Sequence, residues 1–397
     1  MRIQNWGVRY GMVACFLLNS LSLNAYGEVN GIEARTHLKS IISVYESVPA
    51  YTQVFKENIQ AAVTNHPRTA AAIALRDSFR YRQREAEAGF YPTLDIGVSG
   101  RYRMFDSFED RFDNITERSR RNRSANATLT GRTLLYDAGR TSSLVASAKH
   151  SFTAAHEEYG MTVSSIALTA IEIHFRVVFQ RMRQKMHQNI IDDYRETLEK
   201  VRSRFDSGRG PGRDVVLLEA RLALAEADFL LARRDLEETV IQYEENYGFP
   251  PANLKRPEII LSIPETLGDA MELGFLNSPS LSISNSMMMA SKEDMVAEKA
   301  GLLPQLSMEL AATKYDLDRG NGDYEVTARL VMNYNLYSGG VTKARISRTR
   351  AEYERARHEE AVAHRRVTRE IKVSYQNIGF QDGRVCALKK ATVASKR

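Results

Sequence analysis

The stretch Leu135-Tyr136-Asp137-Ala138-Gly139-Arg140-Thr141 is matched 201 residues later by Leu336-Tyr337-Ser338-Gly339-Gly340-Val341-Thr342. Towards the N-terminus, Phe90-Tyr91-Pro92-Thr93-Leu94 is matched by Leu302-Leu303-Pro304-Gln305-Leu306, and Asn65-His66-Pro67 by Asn277-Ser278-Pro279, both at an offset of 212. Three matches in one order point to a duplicated chain. The change of offset says that the segment before the last motif is 11 residues shorter in the second copy. Pro250, Pro251, Pro257 and Pro264 mark a linker over 250–264, between a first copy at 28–249 and a second at 265–397.

Each copy reads alike. An Ala-rich helix comes first and ends ahead of Pro92 or Pro304, because proline bars a helical neighbour before it and offers no N–H. Apolar residues then recur at every second position. Leu94, Ile96, Val98, Tyr102 and Met104 alternate with Asp95, Ser99, Arg101 and Arg103; Tyr324, Val326, Ala328, Leu330, Met332, Tyr334 and Leu336 alternate with Glu325, Thr327, Arg329, Asn333 and Asn335. Such alternation fits a membrane barrel strand with lipid on one side and water on the other, and equally half of a soluble sheet. Strands are expected at about 94–104, 123–136, 306–315 and 324–336. The polar stretches Asp106–Asn122 and Asp316–Asp323 suit outward loops, and the Arg118–Arg123 cluster reads as a solvated loop before an acidic-lipid contact.

After Gly139 and Gly339 the period becomes helical. Leu144, Ala148, Phe152, Ala155, Tyr159, Val163, Ile166, Ala170, Ile173 and Val177 step by three and four, and no proline interrupts 139–207. That is roughly 100 Å of helix at 1.5 Å per residue. Gly208-Arg209-Gly210-Pro211-Gly212 breaks it, and a second helix returns over about 213–247. A third long helix starts near 340. Narrow apolar seams of this kind pack as coiled coils.

Composition narrows the function. The 397 residues carry 55 Lys/Arg and 49 Asp/Glu, net +6, interleaved along the chain, which marks solvated helix faces and speaks against nucleic-acid binding. Arg2 and Arg9 precede a short apolar run from Gly11 to Leu23, then small residues at Ala25 and Gly27, so residues 1–27 read as a signal peptide. A lipoprotein site at Cys15 ranks lower, since that cysteine lies inside the apolar run. Cleavage would leave Cys386 alone, with no disulfide. After residue 30 no apolar run is expected to approach the roughly 20 residues of a spanning helix. If the strands span a membrane, four per chain cannot close a barrel, because such barrels start at about eight strands and an open edge cannot face lipid. Two or more copies must then share one barrel.

Asn-x-Pro at a helix start, x-Pro-x-Leu at a strand start, Leu-Tyr-x-x-Gly at a strand exit, and Arg204-Phe205-Asp206-Ser207-Gly208 with Asp214-Val215 resemble the TolC family of outer-membrane efflux and secretion proteins. The resemblance covers the chain from about residue 50, in two copies. It implies a mainly α protein with membrane β: two repeats, each helix, β-hairpin, long helix and helix, giving four strands to a shared trimeric barrel on a periplasmic α-helical barrel. It further implies a homotrimer in the outer membrane of a Gram-negative bacterium, in contact with outer-membrane lipid. The expected partners are a periplasmic adaptor (membrane fusion) protein and an inner-membrane pump or ABC transporter. The spelling of the motifs leans towards type I protein secretion over multidrug efflux. By the same resemblance the turn bearing Arg204, Phe205, Gly208, Gly210, Gly212 and Asp214 is the adaptor-docking tip. Asp95, Arg101, Arg103, Glu325 and Arg329 would face the lumen, and Pro92, Pro304, Gly139 and Gly339 would be structural junctions. One departure stands out. Residue 397 aligns with 196 of the first copy, whose returning helix runs to about 247, so about 51 residues of the second copy have no counterpart, including the acidic residues that help constrict the tunnel in the family. The chain reads as C-terminally truncated.

Enzyme motifs are scarce. His358-Glu359-Glu360 with His364 has the wrong spacing for a zinc protease, and Gly208, Gly210 and Gly212 lack the Lys-Ser/Thr of a phosphate loop. Met287, Met288 and Met289 read as packing. No catalytic residue, cofactor or metal is expected. The competing readings are a periplasmic coiled-coil interaction protein and a non-functional channel remnant.

Overall fold

The computed structural model describes residues 50–102, 104–105, 123–257, 264–315, 317 and 323–394. The expected signal peptide, Arg103, the 106–122 loop with most of its arginine cluster, and nearly all of the 316–323 loop lie outside the described residues. The protein is mainly helical with one small antiparallel sheet. In chain order the elements are α1 (Ala50–Asn65), α2 (Pro67–Ala88), β1 (Thr93–Tyr102), β2 (Arg123–Tyr136), α3 (Arg140–Asp206) and α4 (Gly212–Tyr247). Then come α5 (Leu267–Leu276), α6 (Pro279–Ala300), β3 (Gln305–Lys314), β4 (Tyr324–Asn333) and α7 (Val341–Ala394).

The described residues fall into two compact units, one of 50–72 with 160–257 and the other of 73–159 with 264–394. In the first, the apolar stripe of α3 lies against α1 and α4. Ala62, Ala170, Ile173, Val177, Tyr243 and Tyr247 form its core, flanked by Leu236 and Leu254. Val163 and Val177 are fully buried, each contributing about 2 kcal/mol by leaving water. Outside that core, α3 and α4 are laddered by polar rungs. Arg176 donates to Gln242 at 3.1 Å, Arg183 to Asp235 at 2.9 Å, Arg195 to Glu226 at 2.8 Å and Arg202 to Glu219 at 2.7 Å. In each of these rungs the donor is on α3 and the acceptor on α4, and the partner moves back along α4 as the donor moves forward along α3, as an antiparallel hairpin requires. Arg234 beside it, with Arg183 across the seam, holds the Asp235 carboxyl below the usual range.

One sequence expectation needs correcting here. Helix α3 contains an 18-residue stretch with at most two charges, apolar enough by composition to cross a membrane. Within this helix Val163, Ile166, Ala170, Ile173 and Val177 are buried in this unit, while Met161 and Leu168 are exposed.

In the second unit the seam between α6 and α7 is built of small side chains. Ser286, Ala290, Ala297 and Ala300 on α6, and Thr349, Ala356, Ala363 and Val367 on α7, are buried. Steps of seven on both helices are coiled-coil spacing, and the small side chains allow close approach. His364 stacks on Phe275 of α5 with ring centroids 4.7 Å apart, which gives this histidine a packing role.

The sheet has the order β1-β2-β3-β4, every pair antiparallel. A bulge between Leu134 and Tyr136 shifts the β2–β3 register at the helix end. β4 stops at Asn333, short of the expected 336. The last rung pairs Asn333 with Gln305, and the next residue on β3 is Pro304, which has no N–H to continue the ladder. β1 likewise ends at Tyr102, with Met104 beyond it.

Candidate functional site: a two-faced sheet and a helical turn

Paired residues in an antiparallel ladder lie on the same face, so the register sorts every strand residue. One face carries Leu94, Ile96, Val98 and Tyr102 of β1, Ala127 and Leu129 of β2, and Leu306, Met308, Leu310 and Ala312 of β3. It is completed by Tyr324, Val326, Ala328, Leu330 and Met332 of β4. The other face carries Asp95, Ser99, Arg101, Asn126, Thr128, Thr130, Arg132, Glu309, Thr313, Glu325, Thr327 and Arg329. Asp95, Arg101, Glu325 and Arg329 therefore share one side of the sheet; Arg103 lies outside the described residues. Two cations break the apolar face, Arg123 and Lys314, both on the loop-end rungs where long side chains can reach water.

The apolar face is uncovered. Leu94, Ile96, Val98, Tyr324, Val326 and Leu330 are between 66% and 81% exposed. A contiguous apolar surface of this kind marks a place where something other than water lies against the protein. The outer edges of β1 and β4 have no strand partner among the described residues.

Two residues that sequence reasoning missed stand on the polar face. Arg132 Nη2 donates to Glu309 at 3.2 Å, and Arg329 donates to the other carboxylate oxygen of the same Glu309. Glu309 was visible in the alternation of β3, but its pairing with Arg132 depends on a register between distant segments.

The junctions are built alike in both halves. Helix α2 stops at Ala88 and α6 at Ala300, each four residues before the proline. Gly89, Phe90 and Tyr91 bond back to Ala86, Glu87 and Ala88, while Gly301, Leu302 and Leu303 bond back to Glu298, Lys299 and Ala300. These tighter i to i+3 turns end the helices, so Pro92 and Pro304 sit at the strand starts. At the strand exits two consecutive residues take positive φ: Ala138 (56°) and Gly139 (83°), then Gly339 (61°) and Gly340 (87°). Gly340 thus takes the part of Gly139, while Gly339 takes that of Ala138. Asp137 caps the first turn, accepting from Gly139 N at 3.1 Å and Thr141 N at 2.6 Å; Ser338 accepts from Thr342 N at 3.3 Å in the second. The sequence reading did not anticipate either cap, although a cap-type side chain before a glycine turn is their signal.

The turn between α3 and α4 closes by a Schellman motif. Arg209 N bonds to Arg204 O at 2.9 Å and Gly208 N to Phe205 O at 2.8 Å, with Gly208 at φ +72° in the left-handed position that favours glycine. The Phe205 ring lies on Gly212, where a Cβ would stand 3.0 Å from it. Asp214 lies in the first turn of α4, where an acid suits the helix dipole. Phe205, Val216 and Leu217 leave apolar surface exposed around this turn.

Comparison with known proteins agrees with this architecture. Residues 58–244 and 274–397 match the family described as outer membrane efflux protein. A curated relative, the outer membrane efflux protein BepC of Brucella suis biovar 1 (strain 1330), is 22% identical over 267 residues, covering 66% of this chain; the chain spans 58% of that relative's length. Among solved structures, CusC superposes with a TM-score of 0.72 at 13% identity, covering 88% of this chain and 82% of that one. VceC from Vibrio cholerae superposes with a TM-score of 0.72 at 15% identity, covering 87% and 85%. With the family match running through both halves of the chain, this protein belongs to the outer membrane efflux protein family and resides in the outer membrane.

Proposed function

We propose that this chain is a subunit of a passive export conduit, in which three copies each lend four strands to one twelve-stranded barrel standing on a tunnel of long helices. The observation that carries the reading is the sheet: apolar and uncovered on one face, polar and charged on the other, with two edges that have no strand partner among the described residues. In lipid every backbone N–H and C=O must find a partner, so an open-edged sheet can span only if another copy closes it. Closing it puts the apolar face against lipid and Asp95, Arg101, Glu325 and Arg329 in a water-filled lumen. The doubled element order, helix, helix, strand, strand, long helix, supports an internal duplication. Nothing in such a conduit needs catalysis.

On this reading the turn from Arg204 to Asp214 is the periplasmic tip. Its Schellman closure and the exposed Phe205 suit it to contact a periplasmic adaptor, which links the conduit to an inner-membrane pump or ABC transporter. The cargo class is type I secreted protein or small efflux substrates. Edge-to-edge closure is the step to test. With both native cysteines replaced, single cysteines at Gly97 on β1 and Thr327 on β4 should cross-link chains to dimers and trimers in outer membranes. Edge cysteines that never join two chains there would contradict the shared barrel.

A further inference from the structure

Arg132 on β2, Glu309 on β3 and Arg329 on β4 occupy one rung of the polar face, at the fifth of the ten residues of β3. Glu309 spends both carboxylate oxygens on the two arginines, and its side chain is only 12% exposed while each arginine side chain is 63% exposed. The negative charge is therefore tucked against the sheet beneath two positive ones. One Glu between two Arg leaves one net positive charge per chain on this rung. A guanidinium has about five N–H donors, and Glu309 takes one from each, so both keep a fork of donors turned to the polar side. Exposed ion pairs add little stability, so holding the sheet together does not explain why two arginines are gathered here. The neighbouring rungs carry no cation. Towards the loops the next rung is Asp95, Thr130, Ala311 and Thr327; towards the helices it is Leu134, Ser307 and Val331.

We infer that the Arg132–Glu309–Arg329 rung is a specificity-determining band for anions in the lumen: the two guanidiniums attract carboxylate, phosphate or smaller anionic groups passing mid-barrel, and Glu309 positions them. This rests on the conduit reading. In the closed barrel the band repeats once per chain, and a low-dielectric wall concentrates its field on whatever passes. Planar guanidinium forks are suited to bidentate recognition of carboxylate and phosphate, so an anionic cargo would meet matched donors there.

The test is the reversal potential of the full chain reconstituted in planar lipid bilayers under a potassium chloride gradient. Joint Arg132→Gln and Arg329→Gln should lower the chloride-to-potassium permeability ratio by about twofold or more, while Glu309→Gln should raise it. A role confined to strand pairing would alter channel yield without moving the ratio in opposite directions. Arg329→Cys, modified after assembly in a background lacking the native cysteines, avoids any folding defect. A cationic thiol reagent should restore the ratio and an anionic one should lower it further. Conducting channels whose ratio ignores all of these changes would overturn the band alone. A parent protein that passes no current would instead overturn the conduit reading, and the band with it.

Discussion

Tyr247, near the end of α4, donates its hydroxyl to the carbonyl of Ala170 on α3 at 2.9 Å, so the far end of the helical hairpin is closed by a buried hydrogen bond. Its ring stacks on Tyr243 at 4.0 Å between centroids, and both side chains are buried. Tyr247→Phe keeps the stack and removes the hydroxyl, so it should destabilise this unit by about 1 kcal/mol. Thermal melting followed by far-ultraviolet circular dichroism reads the change; an unaltered melting temperature would show that the bond adds nothing.

The two strand exits predict unequal glycines. Ala138 already stands at φ 56° in the first turn, so alanine is admissible at the matching place, and Gly339→Ala at φ 61° should carry only the ordinary left-handed penalty of about 1 kcal/mol. Gly340 at 87° and Gly139 at 83° are further from what an L-residue tolerates, and alanine there should cost about 2 kcal/mol or more. Comparing the melting of Gly339→Ala with Gly340→Ala checks this; equal losses would contradict the assignment.

His174 gives a pH dependence. Its ring is fully buried beside Phe55, Nε2 lies 3.0 Å from the Lys255 carbonyl, and Nδ1 has no partner among the described residues. Burial pushes its pKa below the ordinary 6.5, against a smaller opposing pull from the Lys255 carbonyl. The sign follows from linkage: above pH 6.5 both folded and unfolded chains hold it neutral, and as pH falls the unfolded chain takes the proton first. Stability is therefore present above 6.5 and drains away from there down to the lower folded value. Melting between neutral and mildly acid pH should fall less steeply in His174→Gln than in the parent, and parallel curves would rule out His174 as the source.

The facing of the sheet can be read by thiol labelling in a background lacking the native cysteines. Cysteine at Glu325 or Arg329 should react with a charged, water-soluble reagent in intact outer membranes, whereas cysteine at Val326 or Leu330 should react only with a lipid-soluble one. Reversed labelling would place lipid on the charged face and dismantle the barrel reading.

Much of this was legible in the chain because a sheet has only two faces. Ile96 and Val326 announce their face by plain alternation, since successive side chains of a strand point to opposite sides of the sheet. The long seams of α3 and α4 were readable for the same reason, as periodic burial. What depends on distant segments meeting was not. Arg132 pairs with Glu309 across 177 positions, and His174 is capped by a carbonyl 81 positions away. Asp137 and Ser338 cap turns whose geometry the sequence signals only weakly. In the Leu-Tyr-x-x-Gly motif it is Gly340, and not Gly339, that falls on Gly139, and the backbone puts the greater demand there.

The most direct test of the central claim is the native mass of the full chain, extracted with detergent from urea-washed outer membranes. A trimer that survives the wash is the result expected if four strands per chain close one shared barrel. A protein released by urea, or extracted as a monomer, would contradict it.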